Sequence, residues 1–154
     1  MAQLQRVKGQ ADLKSNADKF FDVWSHKLHL LSTLCPDKFP KVELNEGQWG
    51  KVGAVCTWTY HCKDIGEHAF VKTRIEESNE EKRYFKYSYH DGLILKNYYK
   101  TFKSKFQVVP KEEGCIVKWR FDYEKMNENV PEPNMYIDFL LGTAKDVDAC
   151  LCSA

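Results

Sequence analysis

The sequence predicts an α+β fold in which a curved antiparallel sheet wraps around one long C-terminal helix. Between residues 54 and 124, apolar and polar residues alternate in successive segments, as in strands that have one buried and one solvated face. Between residues 131 and 151, apolar residues recur every three or four positions, which indicates an amphipathic helix. The apolar stripe of this helix and the aromatic face of the sheet are expected to bury each other.

The segment before residue 54 predicts a strand, two short helices and a second strand. The strands are expected over residues 4–13 and 39–46, where apolar residues alternate with charged ones. Between them, Ser15 and Asp18 have the spacing of a capping box, so Ser15 is expected to cap the first helix. The second helix is expected to end before Pro36, because a residue that precedes proline avoids helical backbone angles.

Five further strands follow, separated by turn signals, and the predicted order is β-α-α-β-β-β-β-β-β-α. The strand over residues 68–75 has no clearly apolar face, so its inward side cannot be assigned. The glycine-rich loop at residues 46–53 is either a tight turn or a phosphate-binding loop, and the missing Lys-Ser/Thr ending favours the turn. Gly142 interrupts the long helix and indicates either close helix–sheet packing or room left for a ligand.

Length and composition indicate a single domain over residues 1–154. The net charge of +1 gives no general attraction to nucleic acid or membranes, and no apolar run is long enough to span a membrane. Because the N-terminal residues lack the apolar core of a secretory signal, a cytoplasmic protein with free thiols is expected. The cysteine and histidine spacings do not indicate a metal site, and no cofactor is expected.

Aromatic residues make up 14% of the chain, which is more than a small core requires and indicates a site lined by rings. The alternation places most of them on the inward faces of the strands, and the long helix faces them. The predicted ligand-binding residues are Cys56, Trp58, Tyr60, Phe85, Tyr87, Tyr89, Phe102, Ser104, Phe106, Trp119, Phe121, Tyr136, Phe139, Leu140 and Thr143.

Three residues are candidates for acid–base chemistry in such a pocket. Lys100 has the inward phase of its strand, and a lysine buried among rings is easily deprotonated; alternatively, it extends from the sheet edge to water. His68 is either a general base or a solvated side chain. Tyr87 places a hydroxyl on an otherwise aromatic face. No paired carboxylates or nucleophile–base arrangement accompany them, so the sequence predicts a cavity without specifying a reaction.

Several motifs resemble those of the major latex proteins, a plant branch of the Bet v I superfamily. The glycine-rich loop at residues 46–53 is similar to the loop of that family. The segments at residues 99–102, 119–125 and 127–133 resemble its later strands and the start of its last helix. The resemblance covers essentially the whole chain and implies a START-like, helix-grip fold. That fold has a seven-stranded antiparallel sheet, two short helices after the first strand and a long C-terminal helix closing a hydrophobic cavity.

The resemblance also implies binding of small hydrophobic plant metabolites such as lipids, hormones or terpenoid and alkaloid intermediates, in defence, stress or specialised metabolism. Two further functions remain open. One is a cyclase or isomerase acting on a reactive intermediate, iridoid, terpenoid or alkaloid, in the same cavity. The other is RNA binding, against which the balanced charge argues. The expected partner is a small hydrophobic or amphipathic metabolite, without nucleic acid or a membrane span, and the expected state is a monomer or weak dimer.

Overall fold

The computed structural model describes residues 4–62 and 66–153, with the side chains of residues 66–68 and 153 excluded. The strands are β1 (Gln5–Leu13), β2 (Lys41–Glu46), β3 (Val55–Cys62), β4 (Gly66–Asn79), β5 (Tyr84–Gly92), β6 (Tyr99–Pro110) and β7 (Cys115–Lys125). The helices are α1 (Ala17–Ser25), a 3₁₀ turn (Leu28–Leu30), α2 (Leu31–Leu34), α3 (Leu93–Asn97) and α4 (Asn134–Ser153).

The strands form one seven-stranded antiparallel sheet in the order β1-β7-β6-β5-β4-β3-β2. Consecutive strands from β2 to β7 are neighbours, and β1 returns to pair with β7. The long helix α4 packs against β1 and β7, and the two short helical segments follow β1. The predicted α+β architecture, a sheet wrapped around a long C-terminal helix, is confirmed.

The predicted strand register is confirmed by the exposure of neighbouring residues. Trp119 is 3% exposed, whereas the adjacent Lys118 is exposed. Trp58, Tyr87 and Phe139 line the same interior space as Trp119. A slip of one residue in any of these strands would exchange its two faces, so the aromatic faces and the sheet register are specified together.

Helix α1 begins differently from the prediction. Asn16 caps it, because the side-chain oxygen accepts hydrogen bonds from the backbone N–H groups of Asp18 and Lys19, at 2.9 and 3.3 Å. Ser15 is buried instead, and its backbone N–H and hydroxyl both donate to Asp148 of α4. The predicted Ser15 cap is therefore wrong: Asn16 is one residue closer to the helix, and Ser15 connects β1 to α4.

The glycine-rich loop is a tight turn. Gly47, Gly50 and Gly53 all have positive φ angles, which residues with a Cβ rarely adopt. The Ala54 N–H donates to the Lys51 carbonyl at 3.0 Å within the loop. Helix α3 follows β5 directly and was not predicted. A single helical turn is too short to show the three- to four-residue apolar period by which a helix is recognised.

One end of the interior, which we call the packed end, is filled by aromatic rings beneath α1. Its members are Phe20, Phe21, Trp24, Phe85 and Phe106. The Phe21 ring stacks on Phe85 with 5.0 Å between ring centroids, and Phe106 lies 5.7 Å from Trp24. Contacts of this kind contribute stability beyond the burial of apolar area, so this end is expected to hold the domain together.

None of the helices in the described part of the chain is long and apolar enough to cross a membrane.

Candidate ligand-binding cavity

The other end of the interior contains a cavity between the concave face of the sheet and the first half of α4. Its lining residues are Trp24, Phe39, Trp58, Tyr60, Thr73, Tyr87, Tyr89, Ile94, Phe102, Ser104, Trp119, Phe121, Tyr136, Phe139 and Leu140. The cavity volume is about 60 Å³, which accommodates a few water molecules. Ordinary ligand sites measure roughly 300–1,000 Å³, so side chains must move before a metabolite can enter.

Most of the predicted ligand-binding residues line this cavity, but Cys56, Phe85, Phe106 and Thr143 do not. Phe85 and Phe106 do face inward, yet they belong to the packed end, where α1 covers them. Thr143 is fully buried in α4, and its hydroxyl donates to the Phe139 carbonyl at 2.8 Å. Burial raises the pKa of the Cys56 thiol to about 11, which makes it a poor nucleophile.

Four lining residues come from places where the sequence pattern was weak: Trp24, Phe39, Thr73 and Ile94. Trp24 lies on α1, and its apolar neighbours in the sequence were the available signal. Phe39 was placed at the start of the strand predicted over residues 39–46, but it precedes β2, which begins at Lys41. Thr73 lies on β4, whose inward face could not be assigned, and Ile94 lies on the short helix α3. Each residue was missed because its side-chain direction depends on tertiary structure.

Three buried phenol hydroxyls in the cavity wall have no hydrogen-bond partner in the described part of the protein: those of Tyr60, Tyr87 and Tyr136. The ring centroids of Tyr60 and Tyr136 are 6.4 Å apart. Each hydroxyl affects the pKa of the other, but their relative orientation does not make a hydrogen bond. Burial raises the pKa of all three phenols far above the ordinary value. They are therefore neutral hydrogen-bond donors at physiological pH.

Two further hydroxyls face the same space. The Trp58 indole N–H donates to the Thr73 hydroxyl oxygen at 2.8 Å, which leaves the Thr73 proton available to a ligand. Burial raises the pKa of Tyr89 to about 12, while the nearby Ser104 hydroxyl acts in the opposite direction. The wall thus combines aromatic rings with several polar groups, which is the usual composition of a small-molecule site.

In the described part of the protein, the cavity wall is uncharged, since its lining residues include no lysine, arginine, histidine or carboxylate. A charged ligand group buried there would have no counter-ion, and an unpaired charge in a low-dielectric interior is strongly unfavourable. Hydrogen-bond acceptors such as carbonyl or hydroxyl oxygens would instead find donors on Tyr60, Tyr87, Tyr136 and Thr73. The geometry therefore fits a neutral molecule with an apolar body and a few oxygens.

The predicted inward position of Lys100 is wrong, because the side chain is exposed to solvent. A β-bulge accounts for the error: Tyr99 pairs with Lys125 and Thr101 with Glu124, so Lys100 is an extra residue in β6. Tyr99 and Phe102 both face inward across this bulge, and strict alternation fails there. Lys100 is therefore not a candidate for proton transfer in the cavity.

The other two candidate positions have different outcomes. His68 lies on β4, but its side chain is outside the described residues, so the prediction for it stays a prediction. At Gly142, an added Cβ would contact only the Lys38 ammonium, at 3.1 Å, and no part of the sheet. Lys38 forms an ion pair with Asp146 at 2.8 Å. Gly142 thus faces a surface lysine rather than the sheet or the cavity.

Comparison with known proteins identifies the family of the chain. Residues 2–154 match the pathogenesis-related protein Bet v 1 family. MLP-like protein 31 of Arabidopsis thaliana is 34% identical over 93% of this chain and 83% of its own length. MLP-like protein 34 of the same plant is 33% identical over 94% of this chain, but the chain spans only 45% of that longer protein.

Solved structures agree with this assignment. The chain is similar to major latex-like protein 151 of Panax ginseng, with a TM-score of 0.89 and 30% identity over 96% of this chain and 97% of the other. A more distant structure is norcoclaurine synthase of Thalictrum flavum in complex with dopamine and hydroxybenzaldehyde. It has a TM-score of 0.72 and 19% identity over 95% of this chain and 87% of the other. At this identity the similarity shows the fold alone. The chain belongs to the Bet v 1 family, in its major latex protein branch.

Proposed function

We propose that the protein binds and carries a small, neutral, oxygen-containing hydrophobic plant metabolite in the cavity beneath α4. The observation that carries this proposal is the group of three buried phenol hydroxyls, on Tyr60, Tyr87 and Tyr136, that lack partners among the described residues. A buried polar group without a partner costs roughly 1–3 kcal/mol. A ligand with two or three acceptor oxygens would supply the missing partners, whereas a pure hydrocarbon would leave the hydroxyls unpaired.

The structure of α4 indicates how a ligand gains room. Ala144 and Val147, in the second half of the helix, are 0% exposed. Phe139 and Leu140, in the first half, line the cavity and are only half-buried. Rotation of these two side chains would enlarge the cavity while the second half of the helix stays packed. Burial of a metabolite-sized apolar body then supports affinities of the order of 1 μM, about −8 kcal/mol.

The test compares a cyclic terpenoid ketone with its parent hydrocarbon in a displacement assay against an apolar fluorescent probe. We expect the ketone to bind at least tenfold more tightly to the wild-type protein. The Tyr60→Phe, Tyr87→Phe, Tyr136→Phe triple variant should lose most of this preference while it still binds the hydrocarbon. Tyr84→Phe is the matched control, because Tyr84 donates its hydroxyl to Glu77 outside the cavity. An unchanged preference in the triple variant would contradict the proposal.

A second variant tests the location of the site independently of hydrogen bonding. Phe139→Glu places a carboxylate in the uncharged wall, so probe binding should fall at least tenfold while urea unfolding shows that the domain remains folded. Lys100→Gln, on the exposed bulge of β6, should bind the probe as the wild-type protein does. Equal probe affinity in Phe139→Glu and wild type would place the site elsewhere.

A second candidate function is catalysis of cyclisation or isomerisation in the same cavity. The observation in its favour is again the set of phenol hydroxyls, because neutral donors in a dry pocket stabilise negative charge that develops on an oxygen atom. Among the described residues, the lining includes no carboxylate, histidine or lysine that could accept a proton, and His68 has a side chain outside them. Binding without turnover is therefore the function that this wall supports better.

The two candidates differ in what happens to a bound molecule. Reactive dialdehyde, enol or iminium compounds can be incubated with the protein, and the product ratio compared with that of the protein-free reaction. Under the carrier proposal, the ratio stays the same and the compound is recovered unchanged from the cavity. A tenfold rate increase, equivalent to about 1.4 kcal/mol, that disappears in Tyr87→Phe would establish the catalytic alternative instead.

A further inference from the structure

The outer face of the sheet, opposite the cavity, carries a groove of about 430 Å³. Its outward-facing residues, which we call the basic groove, are Lys8, Gln10, Lys105, Gln107, Lys118 and Arg120. They belong to the three neighbouring strands β1, β7 and β6, of which β1 is distant in sequence from the other two. The sequence shows these cations as scattered over several strands, and only the sheet order brings them together.

The strand register arranges the basic groove in two rows. Lys8 pairs with Arg120, which in turn pairs with Lys105, so three cations cross the sheet in one row. In the next row, Lys118 lies between Gln10 and Gln107. Neighbouring strands are about 4.8 Å apart, and residues two positions apart along a strand are separated by about 7 Å. Four cationic side chains therefore originate from a small area of the sheet.

Few negative charges balance these cations. Arg120 lies 3.4 Å from Asp122, but Asp122 is shared with Arg6, at 2.7 Å. Among the described residues, Lys8, Lys105 and Lys118 form no ion pair within 4.0 Å; the Lys105 ammonium instead lies 4.6 Å from the centre of the Tyr84 ring. Burial lowers the pKa of Lys105, and the charges of Arg120 and Lys86 lower it further, while the carboxylate of Glu77 acts in the opposite direction. The basic groove thus has an excess of positive charge although the whole chain carries only +1.

Arg120 adds a second sign that an acceptor belongs here. Its Nε atom is buried and has no hydrogen-bond partner in the described part of the protein. A guanidinium that is only partly paired, with lysines on both sides and amide groups in the next row, matches an oxyanion that accepts several hydrogen bonds at once. Phosphate groups have this chemistry, with several acceptor oxygens and up to two negative charges.

We propose that the basic groove binds an anion with two or more closely spaced phosphate groups. The two rows, about 7 Å apart, allow Lys8, Arg120 and Lys105 to hold one phosphate while Lys118 and the two glutamines hold the next. The same chemistry is found in soluble phosphorylated metabolites and in phosphorylated lipid headgroups. This site lies on the opposite face of the sheet from the cavity, so it is independent of the proposed metabolite binding.

The first experiment is isothermal titration with inorganic tripolyphosphate at low ionic strength. We expect saturable binding that weakens steeply as salt is added, because several cations contact the anion together. In the Lys105→Gln, Lys118→Gln double variant the dissociation constant should rise at least tenfold. Lys100→Gln removes one charge from the same strand outside the basic groove and should change it less than twofold. Succinate, a dianion without phosphate, should bind much more weakly than tripolyphosphate.

Two outcomes would overturn the proposal: absence of saturable binding, or an equal loss in Lys100→Gln and Lys118→Gln. Because Lys118 is exposed, the single variant Lys118→Gln should fold normally and still lose at least threefold in affinity if the double variant proves unstable.

The phosphate source is decided by two further measurements. Soluble inositol trisphosphate should compete with tripolyphosphate in either case. Sedimentation with vesicles that contain phosphatidylinositol bisphosphate, and not with neutral phosphatidylcholine vesicles, would assign the groove to a lipid headgroup. Competition without vesicle binding would assign it to a soluble metabolite. Groove-dependent binding of an RNA oligonucleotide in the absence of binding to tripolyphosphate would overturn the assignment to a small anion.

Discussion

The packed end beneath α1 and the cavity beneath the first half of α4 are built on the same strands, but only the cavity wall contains phenol hydroxyls. The packed end is lined by phenylalanine and tryptophan, and Phe20, Phe85 and Phe106 are each 0% exposed. The cavity wall also contains phenylalanine and tryptophan, but it adds tyrosines, and three of their hydroxyls have no partner in the described part of the protein. Phenylalanine fills space without needing a hydrogen bond, whereas a buried tyrosine needs a partner. The difference separates the part that stabilises the domain from the part that is available to a ligand.

Strand β5 contains this change within a few residues. Its inward positions are Phe85, then Tyr87, then Tyr89, in the order in which the strand leaves the packed end for the cavity. Phe85 stacks on Phe21 of α1, while Tyr87 contacts the Trp58 ring edge-on at 6.3 Å across the cavity wall. The inward residues of a single strand therefore mark where the packed end stops and the cavity begins.

The largest effect is expected at the packed end. Phe106→Ala removes a fully buried ring that contacts Phe20, Phe21, Trp24 and Trp119, and should lower the free energy of unfolding by about 3–5 kcal/mol. Urea unfolding monitored by tryptophan fluorescence measures this change. A loss below about 1 kcal/mol would mean that this end is loosely packed and that the two ends do not differ as described.

The next effect concerns the second half of α4, which Asp148 connects to the segment between β1 and α1. Its carboxylate accepts the backbone N–H groups of Lys14 and Ser15, at 3.1 and 2.8 Å, and the Ser15 hydroxyl. Burial alone would raise the Asp148 pKa, but these hydrogen bonds and the charge of Lys14 lower it below the ordinary 3.8. Asp148→Asn should therefore lower the free energy of unfolding by about 2 kcal/mol at pH 7.

The pH dependence of this loss follows from linkage. Because folding lowers the pKa, the unfolded state binds the proton more readily, and the stabilisation is complete above about pH 4. It disappears as the pH falls through the lower pKa of the folded state. Unfolding curves of wild type and Asp148→Asn should converge in this acid range, and Asp146→Asn, an exposed carboxyl on the same helix, serves as the control. A difference that stayed constant down to pH 2 would contradict the role of the ionised carboxylate.

At the cavity end the sign of the effect should reverse. Tyr87→Phe removes a hydroxyl that has no partner, so the ligand-free protein should be as stable as wild type or more stable by up to about 1 kcal/mol. The same variant should bind an oxygenated ligand more weakly. Phe85→Leu, the matched change two residues away at the packed end, should instead be destabilising. If Tyr87→Phe were clearly destabilising, its hydroxyl would have a structural partner and the contrast between the two ends would fail.

Much of this architecture could be predicted from the sequence because the physical signals are periodic. Alternation along β3, β5, β6 and β7 fixed which rings face inward, and the three- to four-residue period fixed the apolar stripe of α4. The sequence could not separate the packed end from the cavity, because that distinction depends on where α1 lies against the sheet. Phe106 and Phe102 have the same phase on β6, yet only Phe102 lines the cavity.

Local irregularities account for the remaining errors. Lys100 was placed inside because strict alternation was assumed across a β-bulge, and nothing in the residues from 98 to 102 indicates the extra residue. Ser15 was predicted to cap the helix because its spacing to Asp18 is favourable. The neighbouring Asn16 is an equally good capping residue type, and its side chain accepts the capping hydrogen bonds. The structure then leaves Ser15 to a tertiary contact with Asp148, which no local pattern contains.

The smallest effect is expected at Gly142, where α4 passes between the two ends. An alanine Cβ there would approach only the Lys38 ammonium, the far end of a flexible side chain, and would displace it by a few tenths of an ångström. Alanine is more favourable than glycine in a helix by up to about 1 kcal/mol, so Gly142→Ala should raise the free energy of unfolding by roughly half of that or more. Because Gly142 does not line the cavity, probe affinity should stay within twofold of wild type. Thr143→Ala is the control, because Thr143 is the next residue of α4 and is fully buried. This variant should lower the free energy of unfolding, which would show that the gain at Gly142 depends on its position on the helix. Weaker probe binding in Gly142→Ala at unchanged stability would mean that the glycine leaves room for the ligand after all, and that the first half of α4 moves further than its contacts indicate.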